Sequence, residues 1–386
     1  MNDLSKPTHR NWDSPPGNRW ALQHIDEILA VAPVSRGSGP VLPLPSAPVD
    51  VSKLPVRCVD GAERSVDEIL ERTFTDGFLV LHRGGIVCER YFGAMTAATR
   101  HFSQSVAKSI SSTIAGILIG QGKLDASALL SDYVPELRNS GYAGATLSDV
   151  LNMRSGVRFT EDYNDPTSDV GLFDRASGWK PRDNATGPGT IREFILTTRQ
   201  VREHGAAFEY RSLEIELAAW ACEAVTGLRF PELTSRLLWS RLGAESDASF
   251  TVDSAGSAIA DGGFSATLRD YGRFGLLFLN EGRVNREQIV PRDWVMACRH
   301  AGTDHFRAAG HSLLTHYPKA SYSNQWWVLD RDAGLITARG ANGQLVYIDP
   351  ARELVAVKLS SWPVFLDDAM ELEALRAIEA IGRQLA

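Results

Sequence analysis

Cysteine is scarce. The 386 residues hold four, Cys58, Cys88, Cys222 and Cys298, each isolated and none in a C-x-x-C pair. That spacing argues against a zinc ribbon or a thioredoxin-type site and predicts reduced thiols in the core. The nine histidines form no H-E-x-x-H or other tight cluster. A metalloprotease is therefore disfavoured, and no metal or other cofactor is expected. Positive charge is also short: 40 Lys+Arg against 47 Asp+Glu give a net charge of -7. Nucleic-acid binding calls for a basic face, so no nucleic-acid partner is expected. No apolar run approaches the roughly 18 residues of a membrane span. The opening MNDLSKPTHRNWDSPPGNRW lacks the apolar stretch of a signal peptide. A cytoplasmic protein with a small-molecule substrate is the expectation; a homodimer is allowed but not specified. There is no G-x-S-x-G elbow, which disfavours an α/β-hydrolase. Gly122-Lys123 runs into Leu124 without the upstream glycine of a P-loop.

What remains is an ordinary folded composition, 44% hydrophobic and 23% charged. A chain of this length builds a core without disulfide or metal staples. Residues 1–65 are rich in Pro, Ser and Arg, with one helix-like stretch at 20–31 and an extended, proline-punctuated wrap at 32–55. Phe78-Leu79-Val80-Leu81 and Ile86-Val87-Cys88 flank Arg83-Gly84-Gly85, a hairpin signal. Apolar residues at 106, 110, 114 and 117 predict a helix over 105–120. Helical patterns fill 125–290, clearest at 147–153, 192–198, 212–225, 230–242 and 267–279. Strand signals return at 325–329, 345–348 and 354–359, and a helix closes the chain at 367–385. Strands at both ends of a helical middle predict one discontinuous α/β unit of the α+β type with an inserted, mostly helical subdomain. Its expected parts are an N-terminal segment, 1–65; an α/β part, 66–104 with 291–386; and a helical part, 105–290.

Three elements carry candidate chemistry. Ser105-Val106-Ala107-Lys108 opens the first apolar helix, and a three-residue spacing puts hydroxyl and amine on one face. An amine of depressed pKa can take the hydroxyl proton or hold another base ionised. A second S-x-x-K, Ser177 to Lys180, sits in a loop and lacks that context. Phe208-Glu209-Tyr210-Arg211-Ser212 precedes a helix; beside a lysine ammonium, the Tyr210 phenol is expected to lose its proton more easily. Tyr210 reads equally well as a hydrogen-bonded core tyrosine. Tyr322-Ser323-Asn324 repeats the pattern but precedes a strand. Arg339-Gly340-Ala341-Asn342-Gly343 leads into a strand, and its glycines let backbone N–H groups approach a ligand.

In this order the motifs resemble the serine β-lactamase and penicillin-binding superfamily, with Tyr210 matching the class C branch. Gly122-Lys123-Leu124-Asp125 and Leu147-Ser148-Asp149-Val150-Leu151 look like connecting motifs of that branch. Asn18-Arg19-Trp20-Ala21, the Glu161–Pro166 and Asp174–Trp179 stretches, Gln325-Trp326-Trp327 and Lys358–Pro363 resemble the 6-aminohexanoate-dimer hydrolases, which cleave linear nylon oligomers. The resemblance implies a β-lactamase-like fold and an acyl-enzyme at Ser105, activated by Lys108 and Tyr210. It implies an oxyanion hole from the backbone N–H groups of Ser105 and Ala341. It gives Tyr163 a part in proton delivery, Asp174 the substrate ammonium, Trp327 the cover over the substrate and Asp261 a further specificity position. Asp261 and Asn342 depart from the residues more usual there, Asn or His and His. Such a site also serves a carboxylesterase or a β-lactamase/D-alanyl peptidase; a non-catalytic binder is the rival from another class.

Overall fold

The computed structural model describes residues 6–183, 186–302 and 304–386. Its main sheet has seven antiparallel strands drawn from both ends of the chain. They are β2 (Thr75–His82), β3 (Gly85–Tyr91), β7 (Ser321–Ser323), β8 (Trp326–Asp330), β9 (Leu335–Gly340), β10 (Gln344–Asp349) and β11 (Leu354–Ser360), in the order β7-β8-β9-β10-β11-β2-β3. A smaller antiparallel sheet joins β1 (Val31–Val34), β4 (Arg100–Phe102), β5 (Ala248–Thr251) and β6 (Phe264–Thr267) in the order β1-β5-β6-β4. The helices that matter below are α1 (Val106–Gly120), α2 (Asp169–Ala176), α3 (Glu214–Thr226), α4 (Leu268–Leu279) and α5 (Asp368–Leu385).

The continuous apolar runs follow from burial on both faces of the main sheet. On β2, Leu79 and Leu81 join one core and Phe78 and Val80 the other; on β11, Val355 and Val357 divide from Leu354 and Ala356 in the same way. Helix α4 covers the first face. Its Gly272 and Gly275 allow the approach, since a Cβ on Gly275 would lie 2.4 Å from Val355 Cγ1. Helix α5 covers the second face with Leu375, Ile378 and Ile381. The 83–84 turn has φ of 51° and 79°, which fits a tight two-residue hairpin.

Two expectations need correction. The 20–31 stretch is not one helix: it holds the end of a four-residue helix (Asn18–Ala21), a single 3₁₀ turn (Ile25–Glu27) and the start of β1. Pairing of Val31–Val34 with β5 and the bond from Phe102 N to Leu22 O (2.7 Å) override the local helical pattern. The middle of the chain is not purely helical either. It holds β5 and β6, too short and too rich in Ser and Thr to stand out as apolar runs. Helix α4 falls within 105–290 yet packs on the main sheet. All four cysteines are free, three buried and Cys88 half-buried. Among the described residues no helix is long and apolar enough to cross a membrane.

Candidate active site

Ser105 stands at the N-terminus of α1, the helix buried between the two sheets. Gln104 just before it has φ of 49°, a left-handed conformation uncommon for a side chain of that size. The resulting sharp turn brings Ser105 to the wall of a cavity of about 310 Å³. The cavity is also lined by Glu161, Tyr163, Tyr210, Trp327, Ala341 and Phe365. The turn at 103–104 presses against the end of β9. A Cβ on Gly340 would lie 2.4 Å from the Ser103 carbonyl oxygen, so only glycine fits. Gly340→Ala should therefore destabilise the protein by about 1–3 kcal/mol and slow labelling of Ser105 by a fluorophosphonate. Thermal unfolding and labelling rates check this; an unchanged melting temperature and labelling rate would contradict the packing described.

Lys108 is 1% exposed. Its Nζ donates to Ser105 Oγ (2.8 Å), Ser212 Oγ (3.1 Å) and the Asp261 carbonyl (2.9 Å), with Asp261 Oδ2 at 3.5 Å. Burial disfavours its ammonium, but Tyr210, Asp261 and Glu161 outweigh burial and hold the amine above the usual lysine range. The depressed amine anticipated above is thus corrected: Lys108 rests as a fully engaged cation. Tyr210 is corrected too. Burial raises its phenol above the usual value, and the Lys108 ammonium only partly offsets this. Its ring stacks on Trp327 (5.4 Å, 25°), and Lys108 Nζ lies 5.3 Å from its centroid. The Tyr210 turn is anchored from below by Arg211, 1% exposed and bonded to the Ser155 carbonyl at 3.1 Å. The Tyr322 look-alike lies 6.3 Å from Tyr210, ring to ring, with its hydroxyl on Gln325 (3.1 Å).

A small second pocket opens beside Ser105. Trp12, Asp13, Tyr163, Asp174, Ser212 and Asp261 line it. Asp174, on α2, is pushed up to about 8, by burial first and by the nearby Asp261 second. Asp261 bonds Glu216 through its N–H (2.8 Å), and its buried Oδ1 has no partner among the described residues. Burial and Asp261 together hold the Glu216 carboxyl well above its usual range. Lys180, from the second S-x-x-K, pairs with Asp13 at 2.6 Å.

All the residues singled out from the sequence thus meet in one place: Ser105, Lys108, Tyr163, Asp174, Tyr210, Asp261, Trp327 and Ala341 line the two pockets or touch their walls. Asn342 does not line either. It is 2% exposed, adopts φ of 56°, and clasps the 362–365 loop through bonds to the carbonyls of Trp362 (3.1 Å) and Val364 (3.3 Å). Asn tolerates that left-handed geometry, so its departure from His serves the turn. Several wall residues carry no role in the motif reading. Glu161 accepts from Tyr163 Oη (2.6 Å) and from the Ser212 N–H. Phe365 packs its ring 4.3 Å from that of Tyr163. Trp12 and Asp13 arrive from the N-terminal segment. Nothing in the spacing marks Trp12, Asp13 or Phe365, which lie far along the chain from Ser105; Glu161 is marked only by sitting two residues before Tyr163.

The β-lactamase family model matches residues 62–380. The chain belongs to that family, with its antiparallel sheet flanked by helices, and it is a serine hydrolase. A 6-aminohexanoate-dimer hydrolase of Paenarthrobacter ureafaciens is 36% identical over 383 residues, covering 97% of this chain and 95% of its own. Within the family, then, the chain belongs with the 6-aminohexanoate-dimer hydrolases. A Bacillus anthracis structure provisionally assigned to the same group superposes with a TM-score of 0.91 at 28% identity, covering 99% of both chains. A family VIII carboxylesterase shares the fold alone, with a TM-score of 0.62 at 14% identity, over 83% of this chain and 96% of that one.

Proposed function

We propose that the protein hydrolyses linear amides whose acyl part carries a free ammonium, as 6-aminohexanoate dimer does, through an acyl-enzyme on Ser105. The observation that carries this reading is the acidic pocket beside Ser105, where Asp174 and the unpartnered Asp261 Oδ1 await a cation. Two unit charges about 4 Å apart attract by roughly 1–4 kcal/mol at the dielectric of a protein surface or of water. A β-lactam brings a carboxylate, which the same charges repel. The P. ureafaciens relative is named for 6-aminohexanoate dimer, which supports the same substrate class.

Ser105 Oγ attacks the amide carbonyl, and the Tyr210–Lys108 pair receives its proton. The Lys108 ammonium, already on Oγ, steadies the developing charge. The N–H groups of Ser105 and Ala341 hold the oxyanion; losing one such donor typically costs about 10²–10³ in turnover. Tyr163 hands a proton to the leaving nitrogen, and Trp327 covers the acyl chain. Water then reverses the sequence and frees the acid. No metal or organic cofactor takes part in this scheme. A side-by-side assay of 6-aminohexanoate dimer, p-nitrophenyl acetate and nitrocefin tests it: dimer and ester should turn over and nitrocefin should not. Ester turnover without dimer turnover would replace the amidase with a carboxylesterase. The cytoplasm is the proposed location.

A further inference from the structure

The Ser105 side of the site and the Tyr163 side are joined by an unbroken line of hydrogen bonds. Lys108 Nζ donates to Ser212 Oγ at 3.1 Å. The Ser212 N–H donates to Glu161 Oε1, and Tyr163 Oη donates to Glu161 Oε2 at 2.6 Å. Glu161 lines the same cavity as Ser105 and Tyr210. In the resting site the Tyr163 hydrogen points at Glu161, away from any substrate. Tyr163 can deliver it to nitrogen only if a proton returns from Glu161. Lys108 and Tyr210 both rest protonated, so a proton arriving from Ser105 requires an exit from the pair.

We propose that Glu161 is a positioning residue that passes a proton between Lys108, through the Ser212 hydroxyl, and Tyr163. It thereby couples loss of the Ser105 proton to protonation of the leaving nitrogen. The inference rests on the acyl-enzyme reading above. In acylation the Oγ–C bond forms and the Oγ–H bond breaks; the C–N bond breaks and an N–H bond forms. One proton enters the Tyr210–Lys108 pair from Ser105, one leaves Lys108 for Ser212, and one leaves Tyr163 for nitrogen. Glu161 ends as it began. In deacylation water gives its proton to Tyr163 and Ser105 recovers one from the pair, so the cycle balances. Burial raises the Glu161 carboxyl above its usual range despite the hydrogen bonds and the Lys108 charge that oppose it, as a proton carrier near neutrality requires.

The test is the dependence of acylation rate on leaving group. Glu161→Gln keeps the volume and one acceptor oxygen but cannot carry the proton. Pre-steady-state acylation is measured with acyl esters and anilides of one acyl group and graded leaving-group basicity. A p-nitrophenolate leaves without a proton and should lose less than about threefold. Poor leaving groups, and 6-aminohexanoate dimer, should lose about 10²-fold, the usual worth of a positioned acid. Tyr163→Phe should show the same slope, and the double variant should lose no more than either single one. Equal losses across the series, or none, would overturn the proposal. Fluorophosphonate labelling of Ser105 at the parent rate shows that the Glu161→Gln site is intact. In parent protein, absence of that label would instead defeat the acyl-enzyme reading.

Discussion

Ser105→Ala is expected to lower turnover of 6-aminohexanoate dimer and of p-nitrophenyl acetate together by about 10⁴-fold or more, with KM and melting temperature little changed. Removing the nucleophile of a serine hydrolase costs up to about 10⁶ in turnover because its partners act as a unit. Here that unit is visible in Lys108, which spends one of its three short bonds on Ser105 Oγ. The fold should survive the loss of that bond, since Ser212 and the Asp261 carbonyl still hold the ammonium. The variant must be assayed by purified-protein kinetics with both substrates. Retained turnover of either would place the nucleophile elsewhere.

Asp174→Asn is the second large effect, and it is selective. Turnover efficiency on the dimer should fall about 10²–10³-fold, while p-nitrophenyl acetate, which has no ammonium, should lose less than about threefold. The magnitude is that of one buried or half-buried charge pair of a few kcal/mol. Comparable losses on both substrates would show that Asp174 does not read the ammonium. A pH profile sharpens the point. With its carboxyl pushed up to about 8, Asp174 is neutral below that pH and cannot pair with a cation. The dimer's kcat/KM, which reports the free enzyme, should therefore fall as pH drops through about 8, and the ester's should lack that break. A bound ammonium favours the carboxylate, so kcat should break at lower pH than kcat/KM. The stability consequence has the opposite sign. A carboxyl raised in the folded state costs nothing below its unfolded pKa near 4 and costs progressively more up to about pH 8. Asp174→Asn should thus raise the melting temperature more at about pH 8 than at about pH 5, a stability gain at the expense of function.

The helix at 105–120, the hairpin and the closing helix were legible because their periodicities are strong and local. The sheet order was not. β9 is apolar only in its first half, and β5 and β6 are four residues each, so pairing across more than 100 residues decides them. The main site residues were legible through motifs, since chemistry fixes residue type at Ser105, Lys108 and Tyr210. Their protonation was misjudged for a physical reason. Considering only the pair, one expects the ammonium to ease ionisation of the phenol. The fold adds burial of both groups and brings Glu161 and Asp261 close, which reverses the sign at Tyr210 and at Lys108. Glu161 itself was hidden because its significance lies in two bonds, to Ser212 and Tyr163, that only the folded chain brings together.

The acyl-enzyme on an ammonium-bearing amide is tested most directly by rapid quenching of the parent protein with 6-aminohexanoate dimer, followed by peptide mass spectrometry. A 6-aminohexanoyl group should appear on the peptide holding Ser105, form faster than steady-state turnover, and be absent from Ser105→Ala. Turnover of the dimer with Ser105 unmodified at every quench time, or an acyl group on another residue of the active parent protein, would contradict it.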